Sequence, residues 1–444
     1  CYQQVGVDWM QFLAGMGFHG ILADDMGLGK TIQTLVNLSV AGGPHLVVAP
    51  TSVLRNWEKE AKRFVPNMTL NVYHGPRRKL MDVDITLTSY ALMRIDVAKL
   101  SKKKWKYAVL DEAQFIKNPR SKTAQAAYCL DADHRLALTG TPVENRLEEL
   151  WSQFRFLMPG LLGGLEAFRD QFTKPIENGD KASAVRLKKR IQPYVLRRLK
   201  RQVATELPPL TEMVVRCEMG SDQRGLYDAV RLGAQQEVVK GAGTMQILEA
   251  LLRMRQACCD PALLPGDTGA DMDSCKLDQL EDMLVELVCG GHKALVFSQW
   301  TSFLDRVELR LKSLEIDWVR LDGATRDRQA PIDSFQDPNG PPVFLLSLKA
   351  GGTGLNLTAA DYVLLLDPWW NPAVERQATD RAHRIGQTKP VVCCRFIAAG
   401  TVEERIMELQ EAKRGLADSV VGTEGGFVRH LSASELRSLF EDHR

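Results

Sequence analysis

No apolar run in these 444 residues approaches the length needed to cross a bilayer, and the chain does not start like a secretory leader. A soluble protein with no membrane partner is expected. Charge of one sign is equally scarce. With 57 basic against 55 acidic residues the net charge is +2, so the total demands neither nucleic acid nor membrane, and any polyanion site must be a local patch. The nine cysteines include the adjacent pairs Cys258-Cys259 and Cys393-Cys394, but they form no C-x-x-C and have no neighbouring histidine cluster. Structural zinc is therefore not expected, and a reducing intracellular compartment fits. The length calls for two or three domains. Because the chain begins at Cys1, already inside a motif, it is read as the monomeric core of a larger protein.

The stretch from Gly20 to Thr31, GILADDMGLGKT, reads as a phosphate-binding loop. Gly27 and Gly29 allow a tight turn that aims backbone N–H groups inward, and Lys30 and Thr31 open a helix whose positive end favours phosphate. Lys30 would meet the β and γ phosphates and Thr31 would hold Mg²⁺. Asp24 stands where the first glycine of G-x-x-x-x-G-K-[ST] belongs. Ile32, Leu35, Val36 and Val40 continue as an apolar stripe at helical spacing.

Short apolar runs follow at Leu46–Ala49, Ile85–Leu87, Tyr107–Leu110 and Leu136–Leu138, with helical patterns such as Val53–Phe64 between them. This alternation predicts a parallel sheet covered on both faces, with ligands at the carboxyl ends of its strands. From about Trp151 to Gln202 the chain reads as helical and basic, with eight Lys or Arg and no acid between Arg186 and Arg201. A solvated face and a phosphate-backbone contact both fit that run. Pro208-Pro209 reads as a hinge, and Gln223–Cys258 as helical with an excursion at Gly241–Gly243. Runs at Ala294–Phe297, Trp318–Leu321, Val343–Leu346, Tyr362–Leu366 and Val391–Cys394 imply a second α/β domain. Ser432–Glu435 is a capping box that predicts a short terminal helix.

Asp111-Glu112 ends an apolar strand in a sheet that also carries a phosphate loop. One carboxylate can hold Mg²⁺ and the next can polarise an attacking water. Asn371-Pro372 reads as a helix opening, and Gln377, Arg381 and Arg384 are spaced to share one helix face. That row suits a developing phosphoryl charge and suits a surface salt-bridge helix equally well.

The ordered set Tyr2-Gln3, Asp25–Thr31 (DMGLGKT), Ala49–Trp57, Asp111–Gln114 (DEAQ), Leu138–Pro142 (LTGTP), Gly351–Asn356 and Gln377–Gln387 resembles the Swi/Snf branch of helicase superfamily two, across nearly the whole chain. The resemblance implies an α/β fold of two RecA-like parallel-sheet lobes with helical insertions, and a DNA-stimulated ATPase using ATP and Mg²⁺ that translocates on double-stranded DNA without separating its strands and remodels DNA-bound protein complexes. It implies lobe 1 over 1–207 with a basic protrusion at about 151–202, a hinge and helical insertion over 208–275, lobe 2 over 276–415 and a tail over 416–444. Carried over by motif, Gln3 reads adenine, Gly27, Gly29, Lys30 and Thr31 hold phosphates, Thr31 and Asp111 hold the metal, and Glu112 serves the water. Arg381 and Arg384 match arginine fingers in a motif that begins at Gln377. Thr139 and Thr141 relay nucleotide state, and Thr51, Ser52, Arg197, Arg198, Ser298, Lys349, Gly351 and Trp370 face DNA. Gln114 stands where many relatives have histidine, a bacterial trait by resemblance, as is Asp367–Pro372. The place expected is the cytoplasm and nucleoid if bacterial, the nucleus if eukaryotic. A strand-separating or RNA-directed helicase and a nucleotide-gated DNA-binding scaffold are the alternatives.

Overall fold

The apolar runs become strands because each alternates its side chains between two covered faces. The computed structural model describes residues 2–140, 146–204, 206–239, 244–266, 269, 272–325, 327–348, 355–370, 372–408 and 410. They fall into two units that divide between Glu206 and Leu207, each with its own sheet. Thr141, Lys349, Gly351, Asn371, the Gly241–Gly243 excursion and the terminal capping box lie outside the described residues.

In the first unit β1 (Gly20–Leu22), β2 (His45–Ala49), β3 (Leu70–Val72), β4 (Ile85–Ser89), β5 (Trp105–Asp111), β6 (Ala132–Leu138) and β7 (Val195–Leu196) are ordered β3-β4-β2-β5-β6-β1-β7, all neighbours parallel. Leu46 and Val48 join one core with Ala108, Leu110, Met93 and Phe154. Val47 and Ala49 join another with Val7, Met10, Leu35, Leu38 and Trp57. The period of two thus divides each strand between two cores, and helices such as Tyr2–Gly15, Lys30–Ala41 and Leu54–Phe64 close the second. Full burial of each leucine contributes about 1.5–3 kcal/mol. The stripe on the helix Lys30–Ala41 is narrower than its sequence suggested. Leu35 and Leu38 are buried while Val40 is exposed, since five residues turn a helix to a point about 140° away from Leu35.

In the second unit β8 (Leu210–Cys217), β9 (Ala294–Ser298), β10 (Trp318–Leu321), β11 (Val343–Ser347), β12 (Tyr362–Leu365) and β13 (Val391–Ala398) are ordered β10-β11-β9-β12-β13-β8, again all parallel. Val296 and Leu345 face one core, Leu295, Phe297 and Leu346 the other. The expected fold class, α/β with two parallel-sheet lobes and helical insertions, is the one observed. β1 was not foreseen because it lies at the head of the stretch read as a phosphate-binding loop, and three further strands were not foreseen: β3, β7 and β8. Each of these three is an edge strand, and β8 is exposed over most of its length, so none of them carries a continuous apolar run. β7 also corrects the reading of 151–202 as helical throughout. The helices Leu147–Leu157 and Lys181–Ile191 form, and the chain then extends to pair with β1. The stretch read as a hinge contains β8, which pairs with β13 along its whole length.

Candidate functional site

β1 passes into the helix Lys30–Ala41 through residues 23–29. Gly27 and Gly29 have φ of +84° and +76°, the left-handed region in which a side chain is strained. A Cβ on Gly29 would lie 2.6 Å from Nε2 of Gln3, and that amide donates to the Leu28 carbonyl at 3.3 Å. The Tyr2 hydroxyl donates to the same carbonyl at 3.0 Å. Gln3 is therefore seated against the loop. Lys30 Nζ donates to the carbonyls of Asp24 at 2.7 Å and Asp25 at 3.3 Å, which holds the ammonium over the loop at the positive end of its own helix. Thr31 follows, half-buried.

The parallel register lines up the other polar groups along the same edge. Leu22 is level with Leu138, and Leu138 with Asp111, so the loop and Asp111 lie two strand spacings apart, roughly 10 Å. Asp111 accepts from Trp57 Nε1 at 2.7 Å and from the backbone N–H of Glu112 at 2.9 Å. Burial raises its carboxyl above the usual range, opposed by the Trp57 bond and by the charge of Lys30. Glu112 has φ of 53° and is 8% exposed, and the Tyr90 hydroxyl braces the turn by donating to the Asp111 carbonyl at 2.7 Å. The Gln114 amide donates to Glu112 Oε2 at 2.8 Å and accepts from the Thr139 hydroxyl at 3.2 Å. This chain of bonds runs from β5 to β6. Thr51 is exposed and Ser52 half-buried just beyond β2, on this edge.

In the second unit the turn after β12 is held from below. Asp367, 1% exposed, accepts from the Ser298 hydroxyl at 2.7 Å and from the Gln299 N–H. Burial lifts its carboxyl to about 6, opposed by Arg255, Ser298 and Lys276. Arg255 donates to the Pro368 carbonyl and lies 5.5 Å from the ring of Trp370, which is half-buried. Glu375 accepts from the Trp369 N–H at 2.7 Å and pairs with Arg395 at 3.0 Å. Buried Lys276 binds Glu403 at 2.7 Å and the Leu366 carbonyl at 2.7 Å.

Three expectations change. Ser298 is fully buried and its hydroxyl is bonded to Asp367, so it does not face DNA. Arg198 is drawn inward. Its Nε donates to Asp24 Oδ1 at 2.9 Å, its Nη2 pairs with Asp24 Oδ2 at 2.5 Å, and its side chain is 11% exposed. Arg197 beside it is half-buried. Gln377, Arg381 and Arg384 do not share a helix face, because the helix runs only over Pro372–Thr379. Beyond it the backbone tightens into turns: the Arg381 carbonyl accepts from the Leu357 N–H, and the His383 side chain bonds through Nε2 to the Pro208 carbonyl at 2.8 Å. Arg381 is 3% exposed, and Arg384, half-buried, donates to the Leu355 carbonyl at 3.3 Å. The sequence reading gave no site role to Trp57, Gln33, Glu375 or Asp24, although Trp57 closes the motif Ala49–Trp57 and Asp24 breaks the glycine pattern.

Comparison with known proteins finds the SNF2-related domain over residues 2–263 and the helicase conserved C-terminal domain over 275–386. The chain is 38% identical over 465 residues to the putative ATP-dependent helicase/translocase YwqA of Bacillus subtilis, covering 99% of this chain and 50% of that one. It is 37% identical to SWI/SNF-related matrix-associated actin-dependent regulator of chromatin subfamily A member 1 of Homo sapiens, covering 97% and 44%. The TATA-binding protein-associated factor MOT1 of Saccharomyces cerevisiae is 36% identical, with 99% and 28% covered. The chain thus spans half or less of these curated relatives. The solved Sulfolobus solfataricus SWI2/SNF2 ATPase core in complex with dsDNA is 37% identical, with a TM-score of 0.49 and coverage of 100% of this chain and 97% of that one.

Proposed function

This chain belongs to the SNF2-related family, and from that premise we propose that it is a DNA-stimulated ATPase that moves along duplex DNA without separating the strands and remodels protein–DNA complexes. The observation that carries the reading is the bonded chain Glu112–Gln114–Thr139, set on the same sheet edge as the loop of Gly27, Gly29 and Lys30. A loop in which a side chain would collide, a lysine over its carbonyls and a carboxylate at Asp111 fit a triphosphate with Mg²⁺. Lys30 and the loop amides hold the phosphates, and Gln3 contacts the base. Thr31 and Asp111 would hold Mg²⁺, which when bound neutralises phosphate charge and polarises the phosphoryl oxygens. Glu112 orients the attacking water and accepts its proton. Gln114 fixes the orientation of that carboxylate and passes its state to Thr139.

Gln377, Arg381 and Arg384 are the groups suited to the phosphoryl charge that develops in the transition state. Thr51, Ser52, Arg197 and Trp370, with Lys349 and Gly351, bind the duplex backbone, and the cycle turns nucleotide-dependent changes in that grip into steps. ATPase rates measured with duplex DNA, single-stranded DNA and RNA test the substrate. Stimulation by duplex above the other two supports the reading, and a response to RNA alone contradicts it.

A further inference from the structure

The residue that breaks the glycine pattern is paired with a residue 174 positions away. Asp24 is fully buried, and Arg198 grips both of its carboxylate oxygens. The same guanidinium donates to Gln33 Oε1 at 2.8 Å and to the Tyr2 carbonyl, with Cζ 5.1 Å from the Tyr2 ring. Gln33 in turn donates to Asp24 Oδ2 and to the carbonyls of Leu28 and Gly29, each at 3.3 Å. Three pieces of chain meet here: the helix with Tyr2 and Gln3, the phosphate loop, and the end of the basic segment.

The backbone repeats the connection. The Ala23 N–H bonds to the Leu196 carbonyl at 2.7 Å, the Asp25 N–H to the Arg198 carbonyl at 3.0 Å, and Asp25 Oδ2 accepts from the Lys200 N–H at 2.9 Å. Residues 196–200 therefore lie as a strap along the start of the loop. Space around the pair is tight: a Cβ on Gly6 would sit 2.0 Å from Gln33 Oε1 and 2.8 Å from Arg198 Nη2. Gly6 leaves the room that Gln33 and Arg198 occupy beside the start of the loop.

We propose that Arg198 is a positioning residue of the nucleotide site. By tying Asp24, Gln33 and the Tyr2 carbonyl together, it sets the spacing between Gln3 and the loop that carries Lys30. The proposal rests on the nucleotide reading given above and adds to it a link between the phosphate loop and the basic segment that ends in the strap. A purely structural ion pair makes a different prediction. Removing both charges from a buried pair spares the fold the cost of one left unpaired, so a structural role is restored by the double substitution and a positioning role is not.

Wild type, Arg198→Met and Asp24→Asn/Arg198→Met are compared by thermal melting and by titration with a fluorescent ATP analogue in the absence of DNA. Arg198→Met is expected to melt at a lower temperature. The double variant is expected to regain the wild-type melting temperature while its nucleotide Kd stays raised by about tenfold. A double variant that regains both overturns the proposal. If it does not regain its melting temperature, Arg198→Lys decides, since it keeps the charge and loses the two-pronged grip. A raised Kd at an unchanged melting temperature supports positioning, and an unchanged Kd overturns it. A wild type that binds no nucleotide defeats the functional reading itself, an outcome separate from either of these.

Discussion

With φ of 53° and ψ of 58°, Glu112 holds a backbone conformation that costs a non-glycine residue on the order of 1–3 kcal/mol. The Tyr90 bond to the preceding carbonyl and the Gln114 bond to its carboxylate stabilise that turn. Glu112→Gln keeps the shape and removes the base, so kcat with saturating duplex should fall by about 100-fold or more while the Kd of a fluorescent nucleotide is unchanged. Equal idleness of variant and wild type would favour a nucleotide-gated scaffold. At this scale the placement of Lys30 in a glycine loop, and of Asp111 and Glu112 at the carboxyl end of a strand of the same sheet, was legible, because it follows from residue type and near neighbours in sequence. The Asp24–Arg198 pair was not, since nothing local links the two positions. Ser298 misled for the opposite reason: a hydroxyl at a strand end looks the same in sequence whether it faces solvent or a buried carboxylate.

Elements of five residues or so were legible where both faces are buried, whereas the three buried residues of β1 were read as part of the phosphate loop. β2, β4, β9 and β11 are buried at every position and read as apolar runs, whereas the edge strands β3, β7 and β8 gave no such pattern. Where the helix Pro372–Thr379 stops was also hidden; beyond it the chain passes into turns in which Arg381 and His383 bond to Leu357 and Pro208, residues distant in sequence. The helix Cys275–Cys289 is tied to the turn after β12 by Lys276, which has no exposed side-chain surface and is matched to an equally buried Glu403. Lys276→Met leaves Glu403 uncompensated and should destabilise the second unit by about 3–5 kcal/mol, measured by urea denaturation. Loss of less than about 1 kcal/mol would show that the pair is not what holds this helix.

At the scale of the whole molecule each unit has its own cores, so a change is read within the unit that holds it. Asp367 offers such a change. Its native carboxyl is raised from 3.8 to about 6, so the folded state binds this proton more tightly than the unfolded chain does. That contribution is fully present below about pH 4 and is lost as pH rises through about 6, on the order of 3 kcal/mol in all. Relative to Asp367→Asn, which does not titrate, wild type should show a falling melting temperature for the second unit across this window. A parallel pH course in the two proteins would mean that Asp367 is not perturbed. The two parallel sheets could be read from strand and helix alternation; the inward placement of Arg198 and Ser298, two of the expected DNA contacts, could not, because the partners that hold them are distant in sequence. Movement along an unopened duplex is tested most directly by displacement of a triplex-forming strand from duplex DNA. ATP-dependent displacement, abolished by Glu112→Gln and independent of any single-stranded end, is the predicted result. ATP hydrolysis stimulated by duplex with no displacement of the third strand would contradict it.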